Sequence, residues 1–363
     1  MGHNDLLAHR ASQLENIYRK MSAEGIDSLL VTDLAAIRWL TGFSGSSAKL
    51  LLAGGSAVLF TDFRYQEQVR QETFGIGTVV MKGGFAAELS SGPWVLGDRM
   101  ALQADHVSWH EQQQLSESLA GRRFHGVTGF FDEFTEFKHL AELEKMRHAV
   151  QISESVLDQV IPMISPDITE IDLAAEISYL HRKLGAEKDS FDPIVAGGVR
   201  SAMPHARPTT SKFEPGSLIV LDIGCIVDGY ASDQTRTVAL GGIPEEARQV
   251  YRIVQRAQQL GIDAARAGMA ARDLDGEVRA FIAAEGYGEA FGHGLGHGVG
   301  IMVHESPRIG TTASRTLYEG MVFTIEPGIY LPGRFGVRIE DMVVLGPDGA
   351  SPIQRFTKEL IEL

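Results

Sequence analysis

The sequence predicts an α/β protein built as two domains, and three observations point that way. A chain of 363 residues is long enough for about two domains. In its first third, helical periodicity alternates with short apolar strand runs, the pattern of an α/β layer architecture. Near residue 134 the acidic run Asp132-Glu-Phe-Thr-Glu136 breaks that alternation and leads into a long amphipathic stretch. Domains are therefore expected at 1–133 and 134–363.

The elements follow in order. Residues 5–24 read as a helix, Ser28-Leu-Leu-Val31 as a short buried strand, and Ile37-Arg-Trp-Leu40 as the start of the next element. Lys49-Leu-Leu-Leu52 and Ala57-Val-Leu-Phe60 flank Gly54-Gly55 as a hairpin. Helical periodicity resumes from Tyr65 to Glu72, and Thr78-Val-Val-Met81 reads as a strand. Beyond the boundary, Ala141 to Val160 is an amphipathic helix. A helix at 169–186 opens on a capping box, Thr169-Glu-Ile-Asp172. Two more helices are expected at about 244–267 and 272–285.

Composition narrows the function classes. The chain is 44% hydrophobic and 22% charged, as in ordinary globular proteins. A net charge of −14 disfavours nucleic acid as a partner, since a phosphate backbone demands a basic surface. No apolar run reaches the length of a membrane span, and Met1-Gly-His-Asn-Asp-Leu-Leu lacks the basic start of a signal peptide. The single cysteine, Cys225, leaves no intrachain disulfide and reads as a structural residue suited to a reducing compartment. A cytoplasmic location is the expectation. There is no HExxH helix, because Arg308 stands where the second histidine should be. Neither a dinucleotide fingerprint nor a phosphate-binding loop is present.

The chemistry concentrates in the C-terminal two-thirds. Ser217-Leu-Ile-Val-Leu-Asp222 is an apolar strand ending in an acid, and Tyr230 to Leu240 reads as a second strand that carries Asp233. Asp228-Gly229 is the turn signal between them, so a hairpin could set Asp222 beside Asp233. Val322-Phe-Thr-Ile-Glu326 is another strand ending in an acid, stopped by Pro327-Gly328. In Gly336-Val-Arg-Ile-Glu340, period-2 alternation turns Arg338 and Glu340 to one face and Ile339 to the other. His293-Gly-Leu-Gly-His297-Gly-Val-Gly is too glycine-rich for a helix and reads as loop or strand. A lone acid at a strand end is ordinarily a surface carboxylate, and a lone histidine is ordinarily satisfied by hydrogen bonds. Together, Asp222, Asp233, His297, Glu326 and Glu340 form a ligand set for two divalent ions, because four converging carboxylates repel unless cations neutralise them.

The run Leu221-Asp-Ile-Gly…Gly229-Tyr-Ala-Ser-Asp233-Gln-Thr-Arg-Thr237 closely resembles the first metal motif of the pita-bread metallopeptidases. These include aminopeptidase P, prolidase and methionine aminopeptidase. Met203-Pro-His205, His293-Gly-Leu-Gly-His297…His304-Glu305, Thr324-Ile-Glu326-Pro-Gly328 and Val337-Arg-Ile-Glu340-Asp341 match the remaining motifs in order. The likeness is strong over roughly 135–363 and looser before it. It implies an α+β pita-bread catalytic domain behind a smaller creatinase-like α/β domain.

The resemblance also implies roles. Asp222 would chelate one ion, Asp233 and Glu340 would bridge both, and His297 and Glu326 would complete the second. Manganese is the expected ion, with cobalt or zinc fitting the same ligands. Water acidified between the ions would attack the scissile carbonyl as hydroxide, with Glu326 moving the proton. His205 and His304 would hold the oxyanion, and His293 would contact substrate. Arg338 would pair with a bridging carboxylate such as Asp233, or else form an ordinary surface ion pair.

An N-terminal domain points to the relatives that cut Xaa-Pro bonds. One prolidase subgroup carries an arginine for the dipeptide carboxylate where this chain has Thr312, whereas Arg315 sits at the spacing of aminopeptidases P. The expectation is therefore a Xaa-Pro aminopeptidase, with a Xaa-Pro dipeptidase as the alternative. A metal-free creatinase or a non-catalytic peptide-binding module is disfavoured by the complete ligand set. Relatives are commonly homodimers, and Trp39 with Thr41-Gly-Phe-Ser-Gly-Ser-Ser47 is a candidate subunit contact unless Trp39 is core.

Overall fold

The apolar runs of the first third become the strands of one sheet. In the computed structural model, which describes residues 3–363, these are β1 (Ser28–Val31), β2 (Ala48–Ala53), β3 (Ser56–Thr61), β4 (Gly77–Val80), β5 (Arg99–Gln103) and β6 (Arg123–Val127). Their order is β4-β3-β2-β1-β5-β6. The hairpins β1–β2 and β2–β3 are antiparallel and the remaining pairs parallel. Strand β1 is buried at every position, as a central strand covered on both faces must be. The next helix, Leu34–Thr41, starts before the expected Ile37 because the Asp33 carboxylate accepts from the Ala35 and Ala36 amides. Trp39 is core: it is buried and meets Phe131 edge-on at 6.3 Å between ring centroids. Only part of the 41–47 segment, Ser44 and Ser46, is exposed. These elements belong to one compact unit, Met1–Phe134; the second is Thr135–Leu363.

In the second unit two helix pairs each cover a small antiparallel sheet. Helices Leu140–Val160 and Glu170–Lys183 pack on the sheet of β8 (Ile194–Gly197), β9 (Ser217–Ile223) and β12 (Gln234–Leu240), whose order is β12-β9-β8. The expected capping box is present, with Thr169 and Asp172 each bonding the other's backbone amide. A short strand, β10 (Cys225–Val227), pairs on one side with β7 (Lys188–Asp189) and on the other with β11 (Tyr230–Ala231). Helices Glu245–Ala264 and Ala271–Ala284 pack on a second sheet. Its strands, in the order β14-β13-β15-β18-β19, are β13 (Gly296–Gly298), β14 (Glu305–Ile309), β15 (Val322–Ile325), β18 (Asp341–Gly346) and β19 (Gly349–Pro352). The hairpin of β16 (Gly328–Leu331) and β17 (Phe335–Arg338) lies between β15 and β18 in the chain. The Glu245–Ala264 helix buries Ala247, Val250, Val254, Ala257 and Gly261 at helical spacing. No described helix is long and apolar enough to cross a membrane.

The glycines around His297 are needed for strand approach. A Cβ on Gly296 would stand 2.0 Å from Thr324 O, and one on Gly298 would stand 2.1 Å from Ser306 O. Both obstacles are backbone atoms of the flanking segments, so β13 fits between β14 and β15 only without side chains there. Gly298→Ala is expected to cost about 1–3 kcal/mol as overpacking. A thermal melt of the variant equal to wild type would contradict this packing.

Candidate metal centre

The break in one strand sets the geometry of the acids. The expected continuous strand from Tyr230 to Leu240 is interrupted at Ser232-Asp233, and β9 likewise ends before Gly224. In the ladder Asp222 stands opposite Thr235, which places it diagonally from Asp233 rather than directly beside it. His297 comes from the middle of β13, Glu326 from the residue after β15, and Glu340 from the link between β17 and β18. Asp233, His297 and Glu340 each offer a ligand atom, and these atoms lie within 4.8 Å of one another. His297 Nε2 is 3.2 Å from Glu326 Oε1 and 3.7 Å from Asp233 Oδ2. Asp222 joins them through Arg338, whose Nη2 donates to Asp222 Oδ2 at 2.6 Å. The sequence had Asp233 as the example partner for Arg338; the register gives it Asp222 instead.

Arg338 is a buried hub. Its Nη1 donates to Tyr330 OH at 2.8 Å and to Pro204 O at 3.1 Å, while Nε donates to Thr235 Oγ1 at 3.0 Å. Thr235 Oγ1 in turn donates to Glu340 Oε2 at 2.6 Å. Tyr330 OH reaches His293 Nε2 at 3.1 Å, so one chain of contacts links the His293 loop to Asp222. Thr235 and Tyr330 were not picked out from the sequence. Thr235 could have been, because it lies two residues from Asp233 on a strand and so faces the same way.

The charges are mutually costly. Burial, then the neighbouring Glu340, Asp222 and Glu326, push the Asp233 carboxyl well above its ordinary range. Glu340 is raised by burial, then by Glu326 and Asp222. Burial raises Asp222, with Arg338 opposing and Glu326 adding to the rise. Burial also works against the charge on Glu326, yet the hydrogen bond and charge of His297 bring its pKa below the usual value. His297 is raised, since the Glu326 contact outweighs burial. Burial holds His293 below its ordinary value, and loss of hydration at the covered side of the His304 ring, with the charge of His297, does the same there, which favours neutral imidazoles.

These residues fit a cation. Asp222 Oδ1 is buried with no hydrogen-bond partner in the structure, a costly state for a carboxylate oxygen. A donor set of four carboxylates and one imidazole suits hard or borderline divalent ions. His304 lies beside His297, with ring centroids 4.3 Å apart, but is itself exposed. His205 is exposed as well; its charge acts on both His293 and His304, and its neighbour Pro204 is held by Arg338.

Known proteins resemble this chain in sequence and fold. Residues 13–134 match the Creatinase/Prolidase N-terminal domain, and residues 144–347 match Metallopeptidase family M24. The chain is 33% identical to the Xaa-Pro dipeptidase of Pyrococcus furiosus over 96% of its own length and 99% of the relative's. Its structure matches a Xaa-Pro dipeptidase from Bacillus anthracis with a TM-score of 0.93 and 32% identity, covering 98% of this chain and 100% of that one. An X-Pro aminopeptidase from Thermotoga maritima matches with a TM-score of 0.87 and 36% identity, covering 93% of this chain and 98% of that one. The chain belongs to metallopeptidase family M24, with a creatinase-like α/β domain followed by a pita-bread catalytic domain.

Proposed function

We propose that this metallopeptidase is a Xaa-Pro dipeptidase, and the observation that carries this reading is the position of Arg308. In the β13–β14 ladder Arg308 stands directly opposite His297, so the two side chains leave the sheet on the same face. Arg308 is exposed, its charge acts on His304, and among the described residues its guanidinium has no ion-pair partner. A cation beside the reacting centre suits the free carboxylate of a dipeptide. The spacing of Thr312 and Arg315 in the sequence points instead to an aminopeptidase. Arg315 is committed elsewhere: its Nε donates to buried Glu136 at 3.0 Å, its Nη2 contacts the same carboxylate, and Ser306 Oγ donates to that carboxylate too. The similar proteins from Pyrococcus furiosus and Bacillus anthracis, named Xaa-Pro dipeptidases, support the same substrate class. Cleavage of longer peptides, as an aminopeptidase, is the second reading, favoured by the likeness to the Thermotoga protein.

Asp222, Asp233, His297, Glu326 and Glu340 would hold two divalent ions, with manganese the first candidate for so oxygen-rich a set. When bound, such ions polarise a peptide carbonyl and lower the pKa of water to near neutrality. Glu326, kept ionised by His297, accepts the proton of the attacking water and passes it to the leaving nitrogen. His304, held toward its neutral form, and His205 donate to the carbonyl oxygen as charge develops on it, and His293 contacts substrate. Arg338 holds Asp222 in place and opposes the rise that burial gives its pKa.

Chelation should abolish hydrolysis, and manganese at about a hundred times its Kd should stabilise the fold by about 2.7 kcal/mol. Asp233→Ala should lose both effects, and a variant retaining them would remove Asp233 from the metal set. In a paired assay of a Xaa-Pro dipeptide against a Xaa-Pro-Yaa tripeptide, the dipeptide should be preferred. Arg308→Ala should then raise the dipeptide KM about tenfold, the loss of one charge-assisted contact. Cleavage of the tripeptide alone would establish the aminopeptidase reading.

A further inference from the structure

A chain of buried polar groups crosses from the two N-terminal helices of the catalytic unit to the residue that precedes Asp233. Asp189 accepts from His181 Nδ1 on Oδ1 and from Ser178 Oγ on Oδ2, both at 2.6 Å. With Nδ1 donating, His181 Nε2 is left as an acceptor for Ser153 Oγ at 3.3 Å. Ser153 Oγ in turn takes the Ser232 hydroxyl at 2.9 Å, and Ser232 Oγ accepts the Cys225 amide at 3.0 Å. Ser153, His181 and Ser232 are fully buried; Asp189 is the partly exposed end. In this direction each group donates to the next, from the Cys225 amide to Asp189, while Cys225 O lies 3.3 Å from Ser232 Oγ as a competing acceptor.

The chain ends where the backbone must be held. Ser232-Asp233 is the break between β11 and β12, where the Ser232 amide still donates to Cys225 O at 2.8 Å but Asp233 lies outside any strand. Other contacts clamp the same break. Ser190 Oγ donates to Ser232 O at 2.8 Å, and Gln354 Nε2 donates to Asp233 O at 2.8 Å. Gly224 leaves room for the first of these, since a Cβ there would sit 2.0 Å from Ser232 O and 2.3 Å from Ser190 Oγ.

We propose that Ser153, His181 and Asp189 are positioning residues for metal binding. They hold the Ser232 hydroxyl and so aim the Asp233 carboxylate from a distance. The inference rests on the reading of Asp233 as a metal ligand. A satisfied buried network that orients a ligand tunes metal affinity, whereas one that only fills the core changes stability.

The test is calorimetric titration of manganese into the full-length metal-free protein and into Ser153→Ala, Asp189→Asn and the double variant. Melting temperatures are recorded for each, and Asp233→Asn is the control. Each single variant should raise the manganese Kd about tenfold, the usual cost of losing such an outer partner. The double variant should be no worse than the poorer single one, because either change cuts the same chain. Turnover at saturating manganese should remain near wild type. An unchanged Kd with a lowered melting temperature, while Asp233→Asn has lost the metal, overturns the proposal and makes the chain structural only. Undiminished binding by Asp233→Asn overturns the reading of the centre itself.

Discussion

Three buried carboxylates, Asp222, Asp233 and Glu340, and the partly buried Glu326 face one buried guanidinium, Arg338, and one partly buried imidazole, His297. Like charges in a poorly solvated site repel strongly, and each neighbour raises the cost of ionising the next. The structure bears that cost in visible form: Asp233 and Glu340 are pushed far up, and Asp222 keeps a buried oxygen without a partner. Such a cluster is a poor way to stabilise a core but a good way to hold divalent cations, and the surrounding fold keeps the acids from relaxing apart.

That restraint comes from the seam between the two helix-covered sheets. Thr237 Oγ1 donates to Arg338 O at 2.9 Å and accepts the Arg338 amide at 3.2 Å, and the Glu340 amide donates to Thr235 O at 3.2 Å. On the opposite face of β12, buried Arg236 binds Asp341 Oδ1 at 2.7 Å and Glu340 O at 2.7 Å. Alternate residues of one strand therefore serve two tasks. Thr235 and Thr237 face the acids and the Arg338 backbone, while Arg236 ties down the backbone that carries Glu340. Removing one partner of such a buried pair leaves a charge uncompensated, so the seam is costly to loosen.

Cations near the centre illustrate how partner choice outweighs residue type. Arg315 and Arg308 are seven residues apart and chemically identical. A buried Glu136 captures the first, while the second sits opposite His297 with no counter-ion among the described residues. Sequence spacing singles out Arg315 without showing its partner, because Glu136 lies far from Arg315 along the chain and nothing local announces their contact.

The sequence by itself determined the alternation of helices and strands, the acids that end the strands, and the glycines that admit His297 between its neighbours. Each of these is a local property: periodicity, a stop signal or a missing side chain acts within a few residues. Only the tertiary structure decided that Arg338 pairs with Asp222, that Thr235 and Tyr330 join the acids to the histidine loop, that Arg315 is neutralised, and that Trp39 is core. Those facts depend on ladder register and on contacts between distant segments. A one-residue slip would have turned every side chain of a strand to the other face, and it is packing of the two buried sheets, not any single strand, that forbids the slip.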